Sequence, residues 1–188
     1  MKRKIIVTLL ILGISLIILA RAPRPNPIID FMSKTYSPRQ FSDSFISNET
    51  IKLILNAGNK APSATNAQPW HFTVVRNMEI VKEIIPNVVD NNVLIVVSGS
   101  EKARFSVEFD TALVTQNMYL AAQALGLGAR MYAMPVQNIN ENMREKLQIP
   151  DDFRVIIVLR LGYPDSKIDA STAASPRHDL ESKVNYID

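Results

Sequence analysis

The sequence contains no cysteine among its 188 residues and only two histidines, His71 and His178. The lack of cysteine excludes disulfide bonds, thiolate metal sites and a cysteine nucleophile. The two histidines form neither an HExxH motif nor a paired spacing, so no protein-held metal site is expected. A glycine-rich phosphate loop is also missing, because the GLG run at Gly126–Gly128 lacks the GxGxxG pattern and follows a predicted helix. The sequence has no internal repeat, and its length fits one domain.

Charge is unevenly distributed along the chain. The formal net charge is +3, but residues 1–26 hold five basic residues and no acidic one. The remaining body has 16 basic and 18 acidic residues, which gives it a net charge of about −2. No basic face with interleaved aromatic residues is present, so no nucleic-acid partner is expected.

The N-terminal segment carries a long apolar run. Residues 5–20 are uncharged, dominated by Leu, Ile and Val, and lie between Lys4 and Arg21. As a helix with a rise of about 1.5 Å per residue, the run would span roughly 24 Å, slightly less than the hydrocarbon core of a bilayer. We therefore predict a membrane-associated protein with an uncleaved anchor through residues 5–20. The basic N-terminal cluster favours the N-terminus inside and the body outside.

Two alternatives for this segment stay open. Residues 20–22, Ala-Arg-Ala, have the small-x-small form of a cleavage site, and the protein would then be exported after cleavage. The run could also be a buried or interfacial helix. Residues 23–27, PRPNP, are typical of a stiff, extended spacer. The expected organisation is a membrane anchor or signal segment with its spacer at residues 1–26, and one globular domain at residues 27–188.

The body mixes helix and strand patterns without the strict βαβ alternation of a parallel sheet, which indicates an α+β fold. Apolar periodicity and capping residues predict helices at 28–34, 47–61, 78–85, 106–125 and 140–147. Short apolar or alternating runs predict strands at 70–75, 93–97, 130–134 and 154–162. Residues 163–188 are expected to form an extended tail.

The stretch APSATNAQPWHF, residues 61–72, is unusually rich in neutral hydrogen-bonding groups. It holds two prolines, two hydroxyl residues, an Asn, a Gln and the only Trp, directly before a predicted strand. Asn66 and Gln68 can each present a donor beside an acceptor, which suits the edge of a pyrimidine-like ring. Capping of the loop by Asx-turns explains the same residues equally well. We interpret the loop as a binding site for a flat ligand with polar edges.

Two arginines, Arg39 and Arg177, each follow a Ser-Pro pair in an irregular segment. Arginine in such a place binds phosphate or carboxylate bidentately, although a solvated side chain is the commoner outcome for either residue alone. Ser37 and Ser63 could donate to the same anion. No Ser-His-Asp set and no carboxylate pair with catalytic spacing is found, so no catalytic side chain is predicted.

Five motifs occur in order along the chain: SPRQF, APSATNAQPWHFTVV, DTALVTQNMYLAAQALGLGA, VIIVLRLGYP and SPRHDL. Together they resemble the nitroreductase family of FMN-dependent oxidoreductases, over about residues 28–184. The Pro-Ser-x-x-Asn-x-Gln-Pro-Trp stretch is the most specific of them. The resemblance implies an α+β, nitroreductase-like fold with a central mixed sheet flanked by helices, and a C-terminal extension exchanged in a homodimer.

The resemblance also implies which residues bind FMN. The opening motif of the family binds the phosphate and ribityl chain and matches Thr35, Tyr36, Ser37, Pro38 and Arg39. The family usually has a basic residue at the position of Thr35, and Lys34 is the nearest substitute.

Three further parts of the FMN site follow from the same resemblance. The loop that contacts the isoalloxazine ring across the dimer interface matches Pro62, Ser63, Asn66 and Gln68. A backbone N–H directed at flavin N5 is expected at Ala133, Met134 or Val136, because Pro135 has no N–H. The C-terminal basic residue that closes on the phosphate matches Arg177.

The implied activity is that of an FMN-dependent NAD(P)H oxidoreductase. In the family, flavin N5 carries the hydride from NADH or NADPH, and two electrons then pass in ping-pong order to a nitroaromatic, quinone or similar small-molecule acceptor. Only about eight residues separate the strand that ends near Val97 from the helix that begins near Ser106. A covering insertion does not fit there, so an open pocket with broad acceptor tolerance is expected.

Two competing interpretations remain at this point. In the first, the chain is a membrane-tethered flavin-binding protein that is fed by a membrane electron donor or does not turn over. In the second, Thr35 in place of a basic residue marks a membrane-tethered interaction module that has lost the cofactor.

Overall fold

The computed structural model describes residues 26–165 and 176–187. Its internal contacts divide the chain into two compact units, residues 1–34 and 35–188. The described part of the first unit contains one helix, α1.

Helix α1, Pro27–Lys34, confirms the helix predicted near the start of the body. The Asn26 side chain caps it, because its Oδ1 accepts hydrogen bonds from the backbone N–H of Ile28 at 2.9 Å and of Ile29 at 3.3 Å.

The second unit contains the remaining helices and strands. Its helices are α2 (Asn48–Gly58), α3 (Met78–Ile84), α4 (Val107–Ala124) and the short α5 (Val136–Asn138), which continues into a π-helix (Ile139–Met143). Two 3₁₀ turns cover Ala64–Asn66 and Glu181–Lys183. The strands are β1 (Trp70–Val75), β2 (Val93–Ser100), β3 (Gly128–Tyr132) and β4 (Phe153–Gly162). The predicted helices α2 to α4 and all four predicted strands are confirmed, with shifts of one to three residues at several ends.

The four strands form one sheet in the order β1-β2-β4-β3, and all of its pairings are antiparallel. The α+β class is confirmed, whereas a mixed sheet was expected. The described sheet lacks a parallel pair because of the positions of β2 and β3, the two strands that α4 connects. These two strands run parallel to each other, but β4 lies between them and pairs antiparallel with both.

Strands β1 and β3 form the edges of the described sheet. Beside β1, the Thr73 hydroxyl donates a hydrogen bond to the Leu147 carbonyl at 3.3 Å. At the other edge, β3 is only five residues long. A β-bulge between Val97 and Ser98 interrupts the central β2–β4 ladder.

Strand β2 is covered on both faces and divides the core into two clusters. Val93, Ile95 and Val97 belong to a cluster with α2 and α4, and Leu94 and Val96 belong to a cluster with α3 and the π-helix. Each of the five side chains is at most 1% exposed. Because successive side chains of a strand point to opposite faces, a strand with helices on both sides is apolar at every position, as the VLIVV run indicates.

Helix α4 lies directly against its neighbours at two glycines. A Cβ added at Gly99 of β2 would lie 2.3 Å from Val107 Cγ2 and 3.2 Å from Thr111 Cγ2. A Cβ at Gly58 of α2 would lie 2.5 Å from Met118 Cγ. The missing side chains allow the helix to lie close to the strand and to α2, and this fixes the position of α4 in the unit.

The segment after β3 differs from the single helix predicted over residues 140–147. Instead of continuing as a regular helix, it contains α5, the π-helix and turns. The Asn140 side chain pairs with β4, donating to the Val155 carbonyl at 3.0 Å and accepting from the Val155 N–H at 2.8 Å. Ile139 and Met143 are buried beside it. This contact between distant parts of the chain overrides the local helical pattern.

The predicted membrane association is corrected. Among residues 26–165 and 176–187, no helix is long and apolar enough to cross a bilayer. The longest of these helices, α4, has 18 residues and carries Glu108 and Asp110 in its first turn, and charged side chains oppose insertion into lipid. The run 5–20 on which the prediction rested lies outside the described residues. Neither a membrane anchor nor export after its cleavage is supported.

The contact at Gly99 generates a stability prediction. Gly99→Ala is expected to lower the free energy of unfolding by about 1–3 kcal/mol, because the new methyl group overlaps a β-branched side chain of α4 that has little room to rotate. Denaturant unfolding followed by circular dichroism measures the change. Ser100→Ala, which adds no atoms to the next position of the strand and removes only the exposed hydrogen bond from the Lys102 N–H to the Ser100 hydroxyl, is the control and should change the free energy by less than about 1 kcal/mol. Equal stabilities for Gly99→Ala and the wild type would show that α4 does not constrain this strand.

Candidate functional site

The opening segment, residues 35–39, lies against the last turns of α4. The Tyr36 backbone N–H donates to Gln123 Oε1 at 3.1 Å, and the Ser37 hydroxyl lies 3.5 Å from the Tyr119 hydroxyl. Pro38 is buried, and its Cγ would lie 2.4 Å from a Cβ added at Gly128. The segment therefore follows the junction between α4 and β3, with the polar groups of α4 facing it.

Beyond Pro38 the chain runs beside the end of β4. Phe41 forms a β-bridge with Pro164, and the Ser42 N–H donates to the Tyr163 carbonyl at 2.8 Å. Arg39, between these two anchored parts, is exposed. Its position on the surface, fixed on both sides along the chain, suits a guanidinium that meets an anion from solvent.

Gln123 has one satisfied and one unsatisfied end. Its Oε1 accepts from Tyr36, but its Nε2 is buried and has no hydrogen-bond partner in the described part of the chain. A buried donor without an acceptor is unfavourable by about 1–3 kcal/mol. An acceptor oxygen supplied by a ligand at the opening segment would remove that cost, so the site fits a phosphate- or hydroxyl-bearing group.

A buried arginine adds positive charge close to the opening segment. Arg160 of β4 is 6% exposed, its Nε donates to Asn92 Oδ1 at 2.9 Å, and its guanidinium lies 4.2 Å from the centre of the Phe41 ring. Burial lowers the pKa of Arg160, and a hydrogen bond with Tyr132 acts in the opposite direction. Its ordinary pKa is so high that the group stays charged at neutral pH.

The 61–69 loop has an unusual backbone. Thr65, Asn66 and Gln68 have φ angles of 54°, 57° and 49°, in the left-handed region that few residues other than glycine adopt. Such conformations are unfavourable and persist only where the surroundings enforce them. Three of the four consecutive residues from Thr65 to Gln68, none of them glycine, therefore need contacts that hold them in this conformation.

Hydrogen bonds within the loop supply part of this support. The Ser63 hydroxyl accepts from the Gln68 N–H at 2.9 Å, and Gln68 Nε2 donates to Asn66 Oδ1 at 3.2 Å. The side chains of Pro62, Asn66 and Gln68 are all exposed. The sequence-predicted residues of this loop therefore lie together and present their amide groups to solvent.

Two contacts fix the loop to the rest of the unit. The Ala64 N–H donates to Oδ1 of Asp110, a 4% exposed residue in the first turn of α4, at 3.1 Å. Directly after the loop, Trp70 Nε1 donates to Asn59 Oδ1 at 3.0 Å. The loop is thereby attached to α4 on one side and to the end of α2 on the other.

The candidate N–H donors after β3 lie on an exposed turn. Met134 is 93% exposed, and Ala133 is exposed as well. The Val136 N–H donates to the Ala133 carbonyl at 3.1 Å and is already used within the turn. Since Pro135 has no N–H, Ala133 and Met134 are the remaining candidates.

Arg177 is not brought to the opening segment in the described part of the chain. It is exposed, and the nearby hydrogen bonds are local ones, from Ser182 Oγ to the Asp179 carbonyl and from the Lys183 N–H to the Leu180 carbonyl.

The opening segment and the 61–69 loop lie near opposite ends of α4. Their contact residues on that helix, Gln123 and Asp110, are thirteen positions apart, which corresponds to about 20 Å of helix rise. The contacts within one chain therefore do not bring these two halves of the predicted site together.

An apolar groove of about 430 Å³ lies between α4 and strands β3 and β4. Phe109, Leu113, Met131 and Ile157 are among its lining residues, and Phe109 is 68% exposed. Glu108 also lines it. Hydrogen bonds from its own backbone N–H, from Arg154 and from Ser106 lower the pKa of the Glu108 carboxyl, which also forms an ion pair with Arg154.

Sequence reasoning did not find the roles of Asp110, Tyr119 and Gln123. All three lie on an otherwise largely apolar central helix, and the last two are four positions apart and therefore share a face. That spacing was visible in the sequence. Which segment of the chain would meet this face depends on the tertiary fold, so the sequence alone did not identify the contact.

Sequence comparison relates the chain to known proteins. Residues 32–92 and 86–163 match the model of the nitroreductase family. A protein of Archaeoglobus fulgidus named as an NADH dehydrogenase/NAD(P)H nitroreductase is 35% identical over 146 residues, covering 71% of this chain and 83% of the relative. An NADPH-dependent oxidoreductase of Staphylococcus haemolyticus is 28% identical over 180 residues, covering 82% of this chain and 70% of the relative.

Solved structures confirm the nitroreductase-like fold. A nitroreductase from Desulfovibrio desulfuricans, solved in complex with FMN, superposes with a TM-score of 0.75 and 26% identity, covering 88% of this chain and 99% of that one. A nitroreductase with bound FMN from Desulfitobacterium hafniense has a TM-score of 0.72 at 21% identity, covering 88% of this chain and 100% of that one. The second likeness concerns the fold alone.

The backbone of the 61–69 loop generates two opposite predictions. Ser63→Ala removes the acceptor of the Gln68 N–H, so we expect the free energy of unfolding to fall by about 1 kcal/mol and the Gln68 amide to exchange faster with deuterium.

Thr65→Gly relieves a β-branched residue at positive φ, and we expect it to be neutral or to stabilise by up to about 1 kcal/mol. Denaturant unfolding and amide exchange measure both. Unchanged exchange at Gln68 in Ser63→Ala would contradict the proposed role of the serine.

Proposed function

The chain belongs to the nitroreductase family, and from that membership we propose that it is an FMN-dependent oxidoreductase that uses NADH or NADPH as electron donor. The FMN bound by a structural relative at 26% identity supports the cofactor. The names of the sequence relatives support the donor. The observation in the chain itself that carries the proposal is the buried, unpartnered Gln123 Nε2 beside the opening segment.

The opening segment would hold the phosphate and ribityl end of FMN. Arg39 is exposed and supplies a guanidinium that binds phosphate bidentately. The Ser37 hydroxyl and Gln123 Nε2 supply neutral donors on the same side of α4. Thr35 stands where the family usually has a basic residue, and the charge of Arg160 behind Phe41 offsets part of that loss. Arg177 would add a further cation.

The 61–69 loop would hold the flavin ring. The exposed amides of Asn66 and Gln68 share a hydrogen bond, from Gln68 Nε2 to Asn66 Oδ1, which leaves Asn66 Nδ2 as a donor and Gln68 Oε1 as an acceptor for the alternating N–H and C=O groups at the edge of the ring. The Ser63 hydroxyl fixes their spacing through the Gln68 N–H. The N–H of Ala133 or Met134 would donate to the ring nitrogen that carries the hydride.

When bound, FMN supplies two-electron chemistry between the nicotinamide donor and an acceptor, for which we propose a nitroaromatic, a quinone or a similar small molecule, in ping-pong order. The chain's own contribution is to bind and orient the cofactor. Only residues 101–106 connect β2 to α4, and five of these six are exposed. So short a connection leaves the acceptor side open, and this supports broad acceptor tolerance.

We propose further that the working unit is a homodimer in which each FMN contacts the opening segment of one subunit and the 61–69 loop of the other. The separation of these two parts by about 20 Å along α4 supports this arrangement, because a second copy would supply each opening segment with a loop that its own chain holds at the other end of the helix. Exchange of the C-terminal extension between the subunits remains part of the proposal.

The cofactor and donor are tested by absorption spectroscopy. We expect the purified protein, reconstituted with FMN, to show flavin bands near ~450 nm that bleach on addition of NADH or NADPH without oxygen. Bands that persist with both nucleotides would support flavin binding without nicotinamide turnover. A protein that stays colourless after incubation with FMN would overturn the proposal.

Shared sites are tested by complementation between two defective subunits. Arg39→Ala should weaken FMN binding through the opening segment, and Asn66→Ala/Gln68→Ala should weaken it through the loop. When both are co-expressed, random pairing should restore wild-type FMN affinity in roughly a quarter of the sites, because each mixed dimer has one intact site.

The control is co-expression of Arg39→Ala with Ser37→Ala. Both changes lie in the same segment, so no mixed dimer can contain an intact site, and no wild-type affinity should return. FMN titration of the two mixtures, with sedimentation analysis of their mass, gives the answer. If neither mixture recovers wild-type sites although dimers form, the sites are not shared between subunits.

A further inference from the structure

We infer that Asp110 is a positioning residue for FMN binding, acting through the backbone of the 61–69 loop without touching the cofactor. The inference rests on the proposed function of that loop. Nothing in the family comparison or in the sequence pattern assigns Asp110 a role. The structure assigns one through its burial, its single loop contact and the conformation of the loop.

Asp110 is a buried carboxylate with no cationic partner in the described part of the chain. It is 4% exposed, and none of the ion pairs there includes it. Its Oδ1 accepts the Ala64 N–H at 3.1 Å. A buried charge is strongly unfavourable unless hydrogen bonds compensate it, so the contact with Ala64 matters to both groups.

The loop needs this contact because its backbone is strained. Thr65, Asn66 and Gln68 all have positive φ, and all three lie within the four residues that follow Ala64. The hydrogen bond from Gln68 to Ser63 lies within the loop and closes it, but it does not attach the loop to the core. The contact between Ala64 and Asp110 does attach it, at the residue where the strained stretch begins.

Asp110 itself is held rigidly. It lies one residue before Thr111 and three after Val107, the two side chains of α4 that a Cβ at Gly99 would meet. At this point α4 packs directly against β2, with no side chain of the strand between them. The carboxylate is therefore fixed relative to the sheet. Its hydrogen bond holds the Ala64 backbone in place, and this positions the amides of Asn66 and Gln68 that follow.

Ala64 can be altered without touching the carboxylate. It is the first residue of the 3₁₀ turn, a position that tolerates proline, and Ser63 before it has φ −142° and ψ 158°, the extended conformation that a residue before proline requires. Ala64→Pro therefore removes the N–H from the loop side, and Asp110→Ala removes the acceptor from the helix side. Asp110→Asn keeps an acceptor oxygen and removes only the charge.

The test compares the FMN dissociation constants of these three variants, in the full chain, well below their unfolding temperatures. We expect Asp110→Ala and Ala64→Pro to weaken binding by about 10- to 100-fold, as for loss of a hydrogen bond to a charged group, and to shift the visible bands of bound flavin. Asp110→Asn should restore binding to within about 3-fold of wild type.

The control is Thr111→Val, the next residue on α4. Its hydroxyl is buried and donates to the Val107 carbonyl of its own helix at 2.8 Å, so the change removes a buried hydrogen bond without reaching the loop. It should lower the unfolding temperature and leave the FMN dissociation constant within about 2-fold of wild type. A purely structural role of Asp110 would make Asp110→Ala behave in the same way.

The outcomes separate the inference from the proposed function. If the wild type binds FMN and both Asp110→Ala and Ala64→Pro bind it equally well, the positioning role is wrong and the proposed function stands. If Asp110→Ala does not fold, an FMN affinity of Ala64→Pro equal to that of the wild type is enough to overturn the inference. The proposed function then still stands. If the wild type itself binds no FMN, the proposed function fails and the inference fails with it.

Discussion

The close contact between helix α4 and strand β2 is the constraint on which the rest of the structure depends. Because Gly99 has no side chain, the start of the helix packs directly on the sheet, with Val107 and Thr111 against the strand. Asp110 near the start of the helix then meets the 61–69 loop, and Gln123 near its end meets the opening segment. The packing of the core and the geometry of the proposed cofactor site are therefore set by the same helix.

The two halves of the proposed site use different physical means. The opening segment relies on charge, with the exposed Arg39 on the surface and the buried Arg160 behind the Phe41 ring. The loop relies on neutral amides held in an unfavourable backbone conformation. Charge attracts an anion from a distance, whereas fixed amides distinguish the edge of a ring only at contact. A cofactor with a phosphate at one end and a polar-edged ring at the other requires both.

The sequence predicted the regular elements well, because their signals are local. The continuous apolar run of β2 and the Ser47 cap of α2 lie within a few residues of the structure they specify. The helix expected over residues 140–147 was wrong because Asn140 pairs with Val155 of β4. The antiparallel sheet was missed for a similar reason, since strand order depends on where β4 inserts.

The candidate site also has features that the sequence predicts locally and features that depend on contacts between distant parts of the chain. The residue types of the loop are enough to indicate a ligand with polar edges, because the amide and hydroxyl groups follow one another along the chain. Its positive φ angles and its attachment to Asp110 did not follow from the sequence, because no local propensity favours Thr65 at φ 54°. The opening segment and the loop are close in the sequence, yet their contacts lie at opposite ends of α4. Only the fold shows that separation.

The two edges of the sheet have a consequence for how the protein behaves at high concentration. Open strand edges are templates for pairing with other chains, and long, flat, apolar edges lead to aggregation. At one edge, the contact between Thr73 and the Leu147 carbonyl keeps residues of another segment beside β1. At the other, β3 has only five residues and carries Arg130 in its middle. The short β3 edge with its charged residue is thus a poor template for pairing with another chain.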